Sequence, residues 1–278
     1  MSAQIVGLGS RYYALDRPEY PHPEDQLFEG ISDVTIVDET VVVLRRVTPQ
    51  LLLFSLDGTF QRFVEISDMT YGHGLRAMGD GAIAATDMDG HKVLFLDSAF
   101  EETLRLDCGN RPGFQTPFNH PTDCARSSDD RYYVSDGYGN SVVHVYSAEG
   151  ELAKTFGGPG ADAGQFSTPH AILIDHQDRV CVADRENHRV QRFTLDGEYV
   201  DEIAGVYKPM ALEILSDGTL LCTDQTPTLS AFAPNGELVG RCRTFGTFGH
   251  GLAVASDGTI VVAEMLPNRL SFLRPVAN

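Results

Sequence analysis

The sequence predicts an all-β fold, a six-bladed β-propeller with four-stranded blades that forms a single domain over residues 1–278. Three observations predict it. A 15-residue segment recurs six times without gaps, each copy reads as a strand, a tight polar turn and a strand, and no long helical pattern occurs. Because one four-stranded sheet cannot bury its own faces, six such units must pack against one another.

The repeat is clearest in HAILIDHQDRVCVAD, residues 170–184. The other copies are residues 32–46 (the weakest), 73–87, 122–136, 210–224 and 250–264. A third strand such as SVVHVYS follows most copies, and a turn of the DGE or NGE kind leads to a fourth. The last copy stops after a third strand near Phe272. We therefore expect the N-terminal segment to supply the fourth strand and close the propeller. An open β-sandwich is the alternative, which six copies in one register disfavour.

Charge and composition restrict the partners and the location. The net charge of -18 argues against binding to nucleic acid or to anionic membranes. No apolar stretch approaches the roughly 18 residues that span a membrane, and the N-terminus lacks the basic and apolar regions of a signal peptide. The five cysteines are odd in number and form no CxxC pair, which suits a reducing compartment. We therefore expect a cytoplasmic protein.

The first position of the repeat carries candidate metal ligands. The first strand of each propeller blade lines the central channel, so equivalent positions face one another. The six residues at this position are Ser32, His73, Thr122, His170, Met210 and His250. Three imidazoles on alternate blades, with an open fourth position, are the usual catalytic zinc arrangement. Fe, Cu and Ni also accept such ligands, and three structural histidines are the alternative interpretation.

Arg46 and Tyr138 extend this candidate site. The last position of the repeat is acidic in five copies, as Asp87, Asp136, Asp184, Asp224 and Glu264. Arg46 takes this position in the first copy, where it is a candidate clamp for a substrate carboxylate. An ion pair with a neighbouring acid is the equal alternative. Tyr138 lies in VSDGYGNS, between two glycines that allow a tight turn and present the phenol. Beside a divalent cation it is a candidate general base, and otherwise a tyrosine packed on a loop.

Residues 157–193, GGPGADAGQFSTPHAILIDHQDRVCVADRENHRVQRF, resemble the NHL repeat. More narrowly, FNHPTD, VSDGYGNS, GQFSTPH and CVADREN are similar to motifs of peptidyl-α-hydroxyglycine α-amidating lyase, a six-bladed propeller. The likeness covers most of the chain, from about Asp33 onward. It implies an enzyme that cleaves the C–N bond of an N-acyl-α-hydroxyglycine, a carbinolamide, to give an amide and glyoxylate.

The resemblance also assigns roles to residues. It implies zinc on His73, His170 and His250, a substrate-binding Arg46 and a catalytic Tyr138. Two further side chains are candidates for contact with the substrate. Phe248 replaces a methionine of the family, and His120, in FNHPTD, is a proton donor, a rim contact or a structural residue.

The sequence departs from the family at several positions. The family has a structural calcium ion held by backbone carbonyls, here those of Val34 and Leu75, and by an aspartate that Gly251 replaces. That replacement makes a calcium site doubtful. Gly139 and Arg192 replace cysteines of the family, so both of its disulfides are lost, in agreement with a cytoplasmic protein.

The sequence thus predicts a metal-dependent lyase that acts on a small carbinolamide bearing a carboxylate. Examples are α-hydroxyhippurate and ureidoglycolate. Two other functions stay open. A metal-dependent lactonase or other hydrolase on a propeller would use acidic and asparagine ligands, where this chain offers imidazoles. A non-catalytic NHL interaction module would bind no metal and would work through a surface patch.

Overall fold

The structure is a computed structural model that describes residues 4–20, 27–107, 117–244 and 246–276. The described residues are almost entirely β-strands and turns, with a short 3-10 turn at Arg185–Asn187. The strands, in chain order, are β1 (Gln4–Leu8), β2 (Arg11–Asp16), β3 (Ile31–Val37), β4 (Thr40–Arg45), β5 (Gln50–Ser55), β6 (Phe60–Glu65), β7 (Gly72–Gly79), β8 (Ala82–Asp87), β9 (Lys92–Leu96), β10 (Glu102–Asp107), β11 (Asp123–Arg126), β12 (Tyr132–Asp136), β13 (Val142–Tyr146), β14 (Leu152–Gly157), β15 (Pro169–Ile174), β16 (Val180–Asp184), β17 (Arg189–Phe193), β18 (Tyr199–Ile203), β19 (Pro209–Ile214), β20 (Leu220–Asp224), β21 (Thr228–Phe232), β22 (Leu238–Arg243), β23 (Gly249–Val254), β24 (Ile260–Met265) and β25 (Asn268–Pro275).

These strands form six sheets, one for each copy of the repeat. Five sheets have four strands in sequence order: β3 to β6, β7 to β10, β11 to β14, β15 to β18 and β19 to β22. The sixth has the order β1-β2-β25-β24-β23. The fold is a six-bladed all-β propeller with antiparallel blades, as the sequence predicts.

The N-terminal segment completes the sixth blade, which confirms the predicted closure. β2 pairs antiparallel with β25, with Tyr13 opposite Pro275 and Asp16 opposite Phe272. β1 then pairs with β2 as a fifth strand, which the repeat does not predict. Because β1 and β2 belong to no copy of the 15-residue segment, periodicity carries no information about them.

The predicted hairpins are present in register. In the copy at residues 170–184, Ile172 pairs with Val182 and Ile174 with Val180. The polar turn between these strands places Asp178 in the left-handed region, at φ +53°, where the fifth copy has Gly218 at +83°. Aspartate tolerates this backbone better than most residues, so the same turn forms without glycine.

Burial differs across each blade. The second strands are buried on both faces, as in β16, whereas outer strands such as β14 are mostly exposed. The buried strands carry the aliphatic runs that pack between sheets, and each fully buried side chain of this kind stabilises the fold by about 1.5–3 kcal/mol. The first strands are also largely buried, as in β15, so the candidate site residues start from buried backbone.

The chain divides into two compact units. Unit 1 comprises Met1–Ile66 with Met210–Asn278, and unit 2 comprises Ser67–Pro209. Unit 1 packs aliphatic and aromatic clusters around Phe28, Phe54 and Phe272. Unit 2 has a cluster around Tyr133, Phe166 and Phe193. That all 278 residues form a single domain stays a prediction.

Four cysteines lie in the described residues, Cys124, Cys181, Cys222 and Cys242, and all four are buried free thiols. Burial raises the pKa of each, so they behave as small core side chains. The fifth, Cys108, lies outside the described residues. Within the described part of the chain, no helix is long and apolar enough to cross a membrane.

Candidate functional site

Local bulges present the first-position residues of four blades. Strand pairing shifts register between Ile31 and Asp33, between Gly72 and Leu75, between Pro169 and Ile172, and between Gly249 and Gly251. The side chains within or next to these shifts are Ser32, His73, His170 and His250. A bulge turns a side chain away from the regular alternation of a strand. The repeat therefore places these four residues alike, each at the start of an inner strand.

In unit 2, the backbone of the next blade orients His73. The side chain is 2% exposed, and its Nδ1 donates to the Thr122 carbonyl oxygen at 2.8 Å. Because a carbonyl can only accept, Nδ1 carries the proton and Nε2 keeps its lone pair. A side chain at Gly74 would clash with the same Thr122 carbonyl, so glycine is needed for this close approach.

His170 lies beside His73 in the same unit. The two rings meet edge to face, with centroids 4.8 Å apart. The strand that carries His170 is also fixed by Thr122, whose hydroxyl donates to the Pro169 carbonyl at 2.8 Å. Thr122, the first-position residue of the third blade, thus joins the strands of both histidines through its carbonyl and its hydroxyl.

Tyr138 brings a phenol to this histidine pair. Its hydroxyl donates to His73 Nε2 at 3.0 Å, and its ring centroid is 6.0 Å from that of His170. Arg185 Nη1 donates to the same phenolic oxygen at 3.1 Å, and the Arg185 guanidinium carbon lies 5.2 Å from the centre of the phenol ring. The side chain of Tyr138 remains 39% exposed, so a ligand can reach it.

The glycines beside Tyr138 act differently from the prediction. Neither Gly137 nor Gly139 has a positive φ, so conformational freedom is not what requires them. A side chain at Gly137 would clash with the Pro169 carbonyl, and one at Gly139 would clash with the amide of Asn119. Close approach of neighbouring segments therefore explains both glycines, and the phenol is held by packing on either side.

Arg185 is a site residue that sequence reasoning missed. Its Nε donates to Glu186 Oε1 at 3.0 Å, while Lys208 Nζ contacts Glu186 Oε2 at 2.7 Å. The carboxylate of Glu186 is thus shared by two cations, one of which holds Tyr138. The available signal was position, since Arg185 directly follows Asp184 of the acidic column. Arg185 also belongs to the NHL-like VADRENHRV segment, so the repeat itself was a sufficient explanation for it.

In unit 1, His250 faces an arginine. Arg46 Nη2 donates to His250 Nε2 at 2.7 Å, and Arg46 Nε and Nη2 donate to Ser32 Oγ at 3.3 and 3.0 Å. His250 is buried on β23, and Arg46 directly follows β4. Arg46 and His250, both predicted site residues, are thus in direct contact, and Ser32 fixes the guanidinium.

The glycine after His250 also has a steric cause. A side chain at Gly251 would clash with the carboxylate and backbone of Asp33. Asp33 Oδ1 in turn accepts from the Val34 amide at 2.8 Å. An aspartate at position 251 therefore does not fit this backbone without movement of Asp33, and the absence of a calcium site stays a prediction.

The two remaining candidates lie near these residues in the chain. His120 packs against His91, with centroids 4.4 Å apart, and its carbonyl accepts from the Tyr138 amide at 3.4 Å. Phe248 is half-buried, directly before β23, and its carbonyl accepts from the Met265 amide. Contact of His120 and Phe248 with a substrate stays a prediction.

The acidic residues at the last repeat position form hydrogen bonds that fix turns and strands. Asp87 accepts from three backbone amides, those of Thr70, Tyr71 and Gly90. Asp184 and Glu264 are buried beside Arg189 and Arg269, respectively. Burial raises the pKa of both carboxyls in spite of these arginines. The column is therefore structural, and Arg46 differs from it in its contacts as well as its charge.

Comparison with known proteins finds one family profile and several similar proteins. A family profile described as NHL repeat matches residues 166–193. Peptidylglycine alpha-amidating monooxygenase of Rattus norvegicus is 34% identical over 222 residues, which cover 70% of this chain and 22% of the rat protein. Peptidyl-alpha-hydroxyglycine alpha-amidating lyase 1 of Drosophila melanogaster is 28% identical over 221 residues, 73% of this chain and 39% of the fly protein.

The chain thus spans less than half the length of these two relatives. Among solved structures, virginiamycin B lyase from Staphylococcus aureus superposes with a TM-score of 0.69 at 14% identity, covering 95% of this chain and 100% of the other. At that identity the likeness shows the fold alone. The chain is a six-bladed β-propeller with an NHL repeat, and over 70–73% of its length it is similar to the amidating monooxygenases and amidating lyases.

Proposed function

We propose that the protein is a lyase that splits an α-hydroxy-α-amido acid into an amide and glyoxylate or a related carbonyl acid. The observation that carries the proposal is the phenol of Tyr138, held between His73 Nε2 at 3.0 Å and Arg185 Nη1 at 3.1 Å. Relatives that are named for amidating lyase chemistry match 70–73% of this chain. An exposed phenol between an imidazole and a guanidinium can exchange a proton with a bound ligand.

We further propose that His73, His170 and His250 hold one divalent transition metal ion, with zinc as the first choice. All three are buried imidazoles and form a candidate ligand set. The donor chemistry fits, because the Nδ1 hydrogen bond of His73 to a carbonyl makes Nε2 the ligating atom, and the Tyr138 hydroxyl that now donates to Nε2 would turn away when an ion binds. When bound, such an ion supplies positive charge that polarises a hydroxyl group of the substrate.

Arg46 is proposed to hold the substrate carboxylate. Its planar guanidinium can donate two parallel hydrogen bonds to a carboxylate, which a lysine cannot do. Arg46 Nη2 now donates to His250 Nε2. One lone pair cannot both accept from Arg46 and ligate an ion, so a turn of Arg46 toward a carboxylate would also release His250. Binding of the anion and exposure of His250 Nε2 are then two results of one side-chain movement.

Tyr138 is proposed as the general base. Its phenolate removes the proton from the α-hydroxyl, the C=O bond forms at the α-carbon, and the C–N bond breaks with its electron pair going to nitrogen. The departing amide nitrogen takes up one proton, so the products are the neutral amide and glyoxylate. No oxidant or reductant is needed. The Arg185 guanidinium stabilises negative charge on the phenolic oxygen.

The test is glyoxylate release from a panel of carbinolamides that includes α-hydroxyhippurate and ureidoglycolate. Protein loaded with zinc should release glyoxylate together with benzamide or urea in equal amounts. Tyr138→Phe is the matched control, since it removes one oxygen and leaves the imidazoles in place. If metal-loaded protein cleaves no member of the panel, the lyase assignment is wrong.

A further inference from the structure

A second pair of histidines lies behind the Tyr138 loop in unit 2. His91, in the turn between β8 and β9, meets His120 edge to face, with ring centroids 4.4 Å apart. Both residues have a left-handed backbone, with φ of +52° and +65°. Residues other than glycine adopt this conformation at a cost, and they keep it only where surrounding contacts hold them. Contacts with neighbouring groups must therefore hold His91 and His120.

A hydrogen bond to the His91 ring supplies one such contact. The His120 backbone amide donates to His91 Nδ1 at 3.1 Å. Nδ1 must therefore be unprotonated, and His91, which is 8% exposed, is neutral with its proton on Nε2. His120 Nδ1 donates to the Asn119 side-chain oxygen at 2.8 Å, which keeps the Asn119 amide in place.

The segment that His91 holds is in contact with Tyr138 on two sides. The His120 carbonyl accepts from the Tyr138 amide at 3.4 Å. The Asn119 amide group occupies the space that a side chain at Gly139 would need. The Asn119 backbone amide in turn donates to Asp136, at the end of the strand that leads into Tyr138. Movement of Asn119 and His120 would therefore move the phenol.

We propose that His91 is a positioning residue for Tyr138, whose unprotonated Nδ1 fixes Asn119 and His120 and, through them, the phenol. The part of this inference that concerns turnover rests on the proposed function, whereas the part that concerns the loop does not. His91 touches neither the substrate nor the reacting atoms in this scheme. Its effect is conveyed by one backbone amide.

This arrangement depends on the protonation of His91. Burial, followed by the neighbouring His120, lowers the pKa of His91 below the ordinary value of 6.5, while Asp136, Asp89 and Asp87 act in the opposite sense. Lys92, which pairs with Asp87 and Asp68, and His144, which contacts Asp136, also lie in this region. If Nδ1 were protonated, its N–H group would face the N–H group of the His120 amide. Both groups are donors, so the hydrogen bond would be lost.

The sign of the pH effect follows from the lowered pKa. The folded state binds this proton less readily than the unfolded state does. The stabilising contribution of neutral His91 is therefore complete above pH 6.5 and is lost as the pH falls through the folded-state pKa. Acid should loosen the Asn119–His120 segment before the whole fold is lost.

Two substitutions separate the hydrogen bond from the charge. His91→Asn keeps an acceptor oxygen near the place of Nδ1, cannot take up a proton, and suits a left-handed backbone. His91→Leu keeps bulk and removes the acceptor. His176→Asn is the control, because it removes an exposed histidine in another turn of the same unit. Circular dichroism would confirm that each full-length variant folds.

The measurement is hydrogen exchange at the His120 and Tyr138 amides between pH 5 and 8, corrected for intrinsic exchange. The wild type and His176→Asn should lose roughly tenfold in protection on acidification, the scale of one hydrogen bond. His91→Asn should lose little, and His91→Leu should lack this protection throughout. Unchanged protection in the wild type, or equal protection in His91→Leu, would overturn the inference.

Turnover provides the second readout. The kcat for glyoxylate release should fall on acidification more steeply in the wild type than in His91→Asn, with KM unchanged. Equal steepness in the two proteins would contradict a positioning role. If hydrogen exchange follows the expected pattern but no variant cleaves any carbinolamide, the proposed function fails while the loop contact is upheld.

Discussion

His73 and His250 occupy the same repeat position in different blades and have different partners. Each lies at a bulge at the start of an inner strand, and each is buried. In unit 2, His73 Nε2 accepts from the neutral phenol of Tyr138. In unit 1, His250 Nε2 accepts from the cationic Arg46. The repeat determines the position of each imidazole in its blade. Residues that differ between the copies determine its hydrogen-bond partner.

Under the proposed function, the residues of unit 2 transfer a proton and those of unit 1 bind an anion. In unit 2, hydrogen bonds join His73, Tyr138 and Arg185, and such a chain suits the proposed proton transfer. In unit 1, the lone pair of His250 Nε2 accepts a hydrogen bond from Arg46, whose guanidinium can bind an anion. Metal binding, turnover and substrate affinity should therefore respond differently to substitutions at these residues.

The largest expected effect is on metal content. Each of His73→Ala, His170→Ala and His250→Ala should reduce bound zinc from about one ion per chain to almost none, because two imidazoles and water rarely hold zinc tightly. Elemental analysis after dialysis against a fixed zinc concentration measures this. His188→Ala, which alters the exposed histidine of the NHL-like segment, is the control. Full zinc content in all three variants would place the ion elsewhere.

Tyr138→Phe should have the next largest effect, confined to turnover. Loss of a general base lowers kcat by about 10²–10⁴-fold. Zinc content should be retained, since the phenol is a partner of His73 and not a proposed ligand. Steady-state glyoxylate release together with elemental analysis tests both statements. Turnover equal to wild type would remove Tyr138 from the reaction.

Arg46→Lys should mainly weaken binding of the substrate. The substitution keeps the charge but loses the planar pair of donors, so we expect KM to rise about tenfold, the equivalent of about 1.4 kcal/mol. The expected change in kcat is smaller than the change in KM. A substrate analogue in which an amide replaces the carboxylate should abolish the difference between the two proteins. Equal KM in wild type and variant would contradict the anion-binding role.

The smallest expected effect compares Arg46 with Tyr138 as neighbours of the imidazoles. Arg46→Gln removes a cation that competes for the His250 lone pair, so zinc affinity should rise about fivefold, the scale of one hydrogen bond. Tyr138→Phe should change zinc affinity less, because the phenol carries no positive charge. Competition with a chelator measures both. A lower affinity in Arg46→Gln would show that Arg46 supports the ion.

The fold was predictable because six copies of one segment repeat the same strand pattern. Neighbours such as Ile172 and Val182 pair as the alternation requires. The candidate ligands were selected for the same reason, as they share one repeat position, and their binding of a metal ion stays a prediction. β1 was not predictable, since it lies outside every copy.

Side-chain contacts between residues that are distant in the chain could not be predicted from the sequence. Arg185 reaches Tyr138 from the 3-10 turn that follows β16, and no spacing in the chain encodes that contact. The steric role of Gly139 depends on Asn119, twenty positions earlier in the chain, and was mistaken for backbone freedom. The His91 acceptor was missed because its partner is a backbone amide, which has no side-chain signature.

The pairing of β2 with β25 has a consequence for how the chain reaches its structure. Tyr13 and Pro275 must find each other across almost the whole length of the polypeptide. Contacts this distant in sequence slow folding, because the entropy of closing the loop is lost before the contact stabilises anything. During synthesis, β2 is made long before β25, its partner in the sheet. Until β25 is made, the edge of β2 that faces away from β1 can mispair with another chain.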